Sequence, residues 1–199
     1  MMRLPMARRT LVVFAAVTLI LAYPAARLLI GAEKTYTADQ IKRGDYLATI
    51  GGCHDCHSPK NYDANGVPSP DKTRLLSGHP AGDPVPAVPS GVIDPNGWVS
   101  LTNAHFTAWA GPWGVSFAAN LTPHQITGSG AWTEESFISA LRTGKHLGMG
   151  RPILPPMPWF NLVDAPKDDL VAIFAYLQSL PPIDNRVPDP IPPATAQKQ

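Results

Sequence analysis

Apolar and polar positions follow different rhythms in successive parts of this chain. Arg3, Arg8 and Arg9 precede an uncharged run from Thr10 to Ala26, which reaches the length of a bilayer core if extended to Ile30. This pattern predicts a membrane-targeting segment over residues 1–31. Its basic residues would stay cytoplasmic and everything after Ile30 would lie on the far, periplasmic side. No clean small-x-small cleavage site follows the run, so it reads as a retained single-span transmembrane helix, with a cleaved signal segment as the alternative. Pro24 and Arg27 are the residues that weaken the span.

Helical rhythm begins at Thr37. Over 37–50 that threonine can cap, Asp39 lies in the first turn, and Ile41, Gly44, Leu47 and Ala48 share one face. Gly44 costs about 1 kcal/mol relative to alanine inside a helix, which implies close approach of another backbone. Lys167 to Ser179 repeats the pattern with Leu170, Ile173, Phe174 and Leu177, opened by Pro166 and stopped by Pro181-Pro182. A third helix runs from Thr133, with Glu134 and Glu135 behind it, through Phe137, Ile138 and Leu141 to Gly144.

Between Pro59 and Asn96 the rhythm disappears, because eight prolines in that stretch forbid a continuous helix. Residues 97–119 add Trp98, Trp109 and Trp113 among small and β-prone residues, a pattern compatible with a short hairpin. Residues 59–119 thus form a loop-rich Pro/Gly/Trp insertion within a domain spanning 32–182, and 183–199 is a proline-rich, extended tail.

Charge adds one exclusion. From Ala32 onward there are twelve cations against fifteen anions, a balance that lacks the basic footprint of nucleic-acid binding. The chain has only two cysteines, which excludes a disulfide-stapled scaffold and directs attention to a site.

That site is Cys53-His54-Asp55-Cys56-His57, which fits the C-x-x-C-H pattern of covalent haem attachment. Two thiols one helical turn apart can form thioethers with the two porphyrin vinyl groups, and the following histidine is then held beneath the iron as proximal ligand. Zinc and thioredoxin-like redox sites also use C-x-x-C. A zinc site needs further ligands and there is no second C-x-x-C, while a thioredoxin motif belongs near a βαβ pattern absent here.

With these residues in view the chain resembles a class I cytochrome c of the bacterial membrane-bound type. The resemblance rests on Gly51-Gly52-Cys53 through His57, Asn120-Leu121-Thr122-Pro123, Trp132-Thr133-Glu134-Glu135, Gly150-Arg151 to Trp159, and Leu170 to Pro182. It implies an all-α fold with crossed N- and C-terminal helices and one haem c bound through Cys53 and Cys56. The stretch 59–119 has no counterpart in short family members.

For the sixth iron position, Met149 and Met157 offer thioethers, and His79, His105, His124 and His146 offer imidazoles. Met157 is preferred, because prolines on both sides stiffen its strap and the resemblance implies a methionine strap. The four histidines are read as surface or loop residues. Asn120, Arg142 and Arg151 are candidate partners of haem propionates, Trp159 and Phe160 candidate walls of the pocket, and Trp132 a core residue.

The function implied is one-electron transfer at the periplasmic face of the inner membrane, not catalysis. The partners would be a dehydrogenase, a cytochrome complex, an oxidase or a reaction centre. A haem enzyme or gas sensor with an open or labile sixth position is the competing class, and an insertion that docks onto a larger complex is compatible with the first.

Overall fold

The computed structural model describes residues 35–89, 91–94 and 96–193. Four α-helices are formed among them: α1 Ala38–Ile50, α2 Cys53–His57, α3 Glu134–Thr143 and α4 Lys167–Ser179. Local chemistry accounts for their ends. The Thr37 hydroxyl accepts from the Gln40 amide at 3.2 Å while Gln40 Oε1 accepts from the Thr37 amide at 2.9 Å, a reciprocal cap on α1. Thr133 and Ser136 close the same box on α3, which stops at Gly144 in the left-handed region.

Helix α4 lies against α1, and Gly44 marks the crossing: a Cβ added there would stand 1.9 Å from the Ala172 carbonyl oxygen. Around it Ala48, Leu76, Phe137, Leu141, Leu170, Ile173, Phe174 and Leu177 form one buried cluster. Burying each large apolar side chain is worth about 1.5–3 kcal/mol relative to exposure. The Arg43–Asp169 ion pair at 3.0 Å sits on the exposed rim of the same contact and adds little beside that burial. Val171, Ala172, Ala175 and Tyr176 are buried too, so α4 is enclosed well beyond the single apolar stripe that its sequence presents.

The all-α expectation is corrected. Five short strands build two antiparallel sheets among the described residues: β1 Lys60–Tyr62 with β2 Pro68–Pro70, and a meander of β3 Leu101–Thr102, β4 Ala108–Gly111 and β5 Gly114–Phe117. All five lie in the proline- and tryptophan-rich insertion, where proline blocks helix and short extended segments pair instead. The tail is likewise part of the fold, since Ile191 and Val115 exchange backbone hydrogen bonds at 2.7 and 2.9 Å.

The expectation of an N-terminal transmembrane helix, and with it a single-pass inner-membrane localisation, is corrected as well. No helix among the described residues is long and apolar enough to cross a membrane. The longest have 13 residues, and at about 1.5 Å per residue they fall short of a hydrocarbon core of about 30 Å. The segment 1–31 that prompted the expectation lies outside the described residues.

Candidate functional site

Gly52, in the left-handed region at φ 69°, turns the chain out of α1 and into α2. One turn of helix then sets Cys53 and Cys56 three positions apart on one side. Both are free, partly buried thiols. Burial pushes Cys53 up to about 11 and raises Cys56, so neither is a thiolate at neutral pH.

His57 is buried and held from two directions. Its carbonyl accepts from the Gly78 amide at 2.8 Å, and its Nδ1 lies 2.8 Å from the Ala119 carbonyl oxygen. A carbonyl can only accept, so Nδ1 carries the proton and Nε2 keeps a lone pair that meets no hydrogen-bond donor among the described residues. Burial lowers the imidazole's affinity for a second proton. A neutral ring with its far nitrogen anchored is the usual preparation of a histidine for metal ligation.

On the other side of the chain, the proline-bracketed strap brings Met157 and Trp159 against the apolar cluster that Cys53 and Leu121 also border. Trp159 fills the space over Gly144, where a Cβ would come within 2.4 Å of its ring. Met149, by contrast, is 86% exposed. The structure therefore gathers Cys53, Met157 and Trp159 on one cluster and leaves Met149 outside it.

The remaining expected residues divide differently. Asn120 is buried: its Nδ2 donates to the Ile183 carbonyl at 2.8 Å, and its Oδ1 accepts from the Thr122 amide and hydroxyl at 3.0 and 2.7 Å. Its polar atoms are thus engaged by the chain itself. Arg142 donates to the Ala165 carbonyl at 2.6 Å, and among the described residues the exposed Arg151 side chain donates only to the neighbouring Pro152 carbonyl at 3.3 Å. Phe160 meets Trp159 edge-on with ring centroids 6.2 Å apart but is itself 63% exposed. Trp132 packs against the core cluster and meets His146 edge-on.

Among the histidines, His79 departs from the surface reading. It is fully buried against Phe117, with Nδ1 2.9 Å from the Thr107 hydroxyl and, among the described residues, no hydrogen-bond partner at Nε2. Two residues escaped sequence reasoning altogether. Asn185 joins the tail to the segment beside His57, donating to Ser77 O at 2.7 Å and His79 O at 2.9 Å. Lys60 folds its ammonium over the end of α2; the signal was a basic residue just past a helix C-terminus.

The donor chemistry fits a covalent haem: two thiols one turn apart, an adjacent histidine whose outer nitrogen is unengaged, and a methionine on an apolar wall. Among the described residues no group of three or more His, Cys, Asp or Glu could hold a metal ion, so a tetrahedral zinc site has no ligand set there. A cavity of about 360 Å3 beside Cys56 is lined by Asp55 and Lys60 and by Pro68, Pro70, Phe106 and Trp109 of the insertion.

No protein-family model matches the chain. It is similar to one of the subunits of nicotinate dehydrogenase from Pseudomonas putida, 33% identical over 77% of this chain and 10% of that one. It is also similar to the cytochrome c subunit of a quinone-dependent alcohol dehydrogenase of Gluconacetobacter polyoxogenes, 30% identical over 74% of this chain and 26% of that one. The cytochrome c subunit of gluconate 2-dehydrogenase from Pantoea cypripedii is 26% identical over 68% of this chain and 22% of that one. The matches thus span between a tenth and about a quarter of these relatives' lengths. Two of these three relatives are cytochrome c subunits of dehydrogenases.

Proposed function

We propose that this chain is a one-electron carrier serving a dehydrogenase, and that it holds a single haem c through thioethers to Cys53 and Cys56, with His57 and Met157 as axial ligands. The observation that carries the reading is the state of His57, buried directly after two free thiols with Nδ1 bonded to Ala119 and Nε2 left open. When bound, the haem supplies a one-electron iron couple.

The chain's own residues do the rest. The Ala119 carbonyl orients the imidazole and strengthens Nε2 as a donor. The strap around Met157 presents a soft thioether, which favours the reduced state, and Trp159 keeps water from that side. In this reading residues 32–182 act as one cytochrome unit, 59–119 wall the Cys56 side, and residues 183–193 of the tail bind the wall in place.

The relatives' names carry different substrates, nicotinate, gluconate and alcohol, while two of the three name a cytochrome c subunit. The cytochrome c role that two of these names print is what this reading carries over, and a substrate-oxidising subunit is the partner favoured over an oxidase or a reaction centre. The ligand assignment is tested by Met157→Ala: the haem should stay attached, the potential should fall, the far-red sulfur-to-iron band of the oxidised form should vanish, and the reduced protein should bind carbon monoxide. Met149→Ala should change none of these. The opposite pattern would reverse the assignment.

A further inference from the structure

Lys60 is 7% exposed, and all three N–H groups of its ammonium are placed on backbone carbonyls. Nζ donates to His54 O at 2.9 Å, to Asp55 O at 2.9 Å and to Ser58 O at 2.5 Å. Helix α2 is a single turn, and at its end the Ser58 amide donates to His54 O over a long 3.4 Å. The ammonium adds to that bond at His54 O and donates to Asp55 O and Ser58 O, at a helix end whose last carbonyls lack intrahelical donors. The cation also meets the negative end of the peptide dipoles.

The backbone of Lys60 is fixed from the opposite side. His105 Nδ1 lies 3.2 Å from Lys60 N and 3.1 Å from Lys60 O, and His105 Nε2 lies 3.4 Å from the Asp83 carboxylate. Lys60 therefore ties the turn that carries Cys56 and His57 to the insertion. It also shares the wall of the cavity beside Cys56 with Phe106 and Trp109. Burying a cation is costly without such a set of acceptors, and burial does lower the affinity of Lys60 for its proton, with Asp55 and Cys56 acting the other way.

We propose that Lys60 is a positioning residue for the haem site, holding the Cys53–His57 turn in its attachment geometry and keeping one buried positive charge on the turn that would supply the proximal ligand, so that the reduced state would be favoured. This rests on the haem c reading above. A lysine that merely capped the helix would affect folding alone, whereas a charge on the turn that would carry the proximal ligand would also set the potential of a haem held there.

The experiment is an optical redox titration of the haem-loaded full chain, wild type against Lys60→Met and Lys60→Gln. Lys60→Met removes both the charge and the donors; it should lower covalent haem per chain several-fold and lower the potential of the loaded fraction. Lys60→Gln keeps two N–H donors on a shorter stem and loses the charge, and it decides the matter if Lys60→Met is not recovered folded. At the ambient potential that half-reduces the wild type, its reduced-to-oxidised ratio should drop several-fold, a tenfold drop being ~59 mV for one electron. The far-red band should persist, which separates a charge effect from loss of Met157. Wild type without covalent haem would refute the haem reading itself. Loaded wild type together with an unchanged ratio in the recovered variant would overturn the role of Lys60 alone.

Discussion

The Nδ1 of His57 stands 2.8 Å from the carbonyl oxygen of Ala119, joining positions 62 apart in the chain. The peptide on the other side of His57 is held by Gly78, whose amide donates to His57 O at 2.8 Å. The two clamps are themselves joined, because the His79 amide donates to Ala118 O at 2.9 Å. A loop-rich insertion thereby supplies both contacts that fix the candidate ligand.

Gly78 is the weak point of this arrangement. Its φ is +77°, and an added Cβ would stand 2.5 Å from the Ala118 carbonyl oxygen. Gly78→Ala should destabilise the fold by at least about 1–2 kcal/mol from the left-handed backbone alone. The contact with Ala118 adds to that. Each kcal/mol corresponds to a fall in Tm of roughly 2–4 °C for a domain of this size. Thermal unfolding of Gly78→Ala at the wild-type midpoint would contradict the clamp.

Asn120 separates two roles. Its amide is committed to Ile183 and Thr122, so Asn120→Ala should leave buried partners unsatisfied and cost about 1–3 kcal/mol in denaturant unfolding. The iron potential should stay near that of wild type. A potential that shifts while stability holds would instead place Asn120 at a haem propionate.

How much of this was legible in the sequence depends on how local each feature is. Thr37, Thr133 and Gly144 act within one helical turn, and their helices begin or end where the sequence indicates. Gly44 announced a close backbone contact, and Ala172 provides it. The attachment turn was readable because its spacing is its chemistry. The sheets were legible only in part: residues 97–119 read as a short hairpin and β4 pairs with β5 there, whereas strands of two or three residues leave almost no periodicity and the all-α expectation came from resemblance. Asn185 and His79 stayed invisible because their roles depend on bonds to positions 28 to 108 residues away.

His79 predicts a pH dependence. Burial holds its imidazole below the ordinary range, with Asp83 pulling the other way, so the folded state binds its proton less well than the unfolded chain. The unfolded histidine takes up a proton near pH ~6.5. The stability contributed by the neutral ring is therefore present above that pH and lost as pH falls below it toward the folded value. His79→Asn keeps a short polar group toward Thr107 and does not titrate, so its unfolding free energy should fall less between neutral and mildly acid pH. His54 and His146, depressed by burial in the same way, will keep part of the slope. Equal losses in both proteins would contradict this.

The most direct test of the central claim is the intact mass of the full chain, made in cells equipped for covalent haem attachment and measured after denaturation. Two thioethers at Cys53 and Cys56 survive unfolding, so the account predicts the polypeptide mass plus that of one haem. A denatured chain at the bare polypeptide mass, with its haem released or absent, would contradict it.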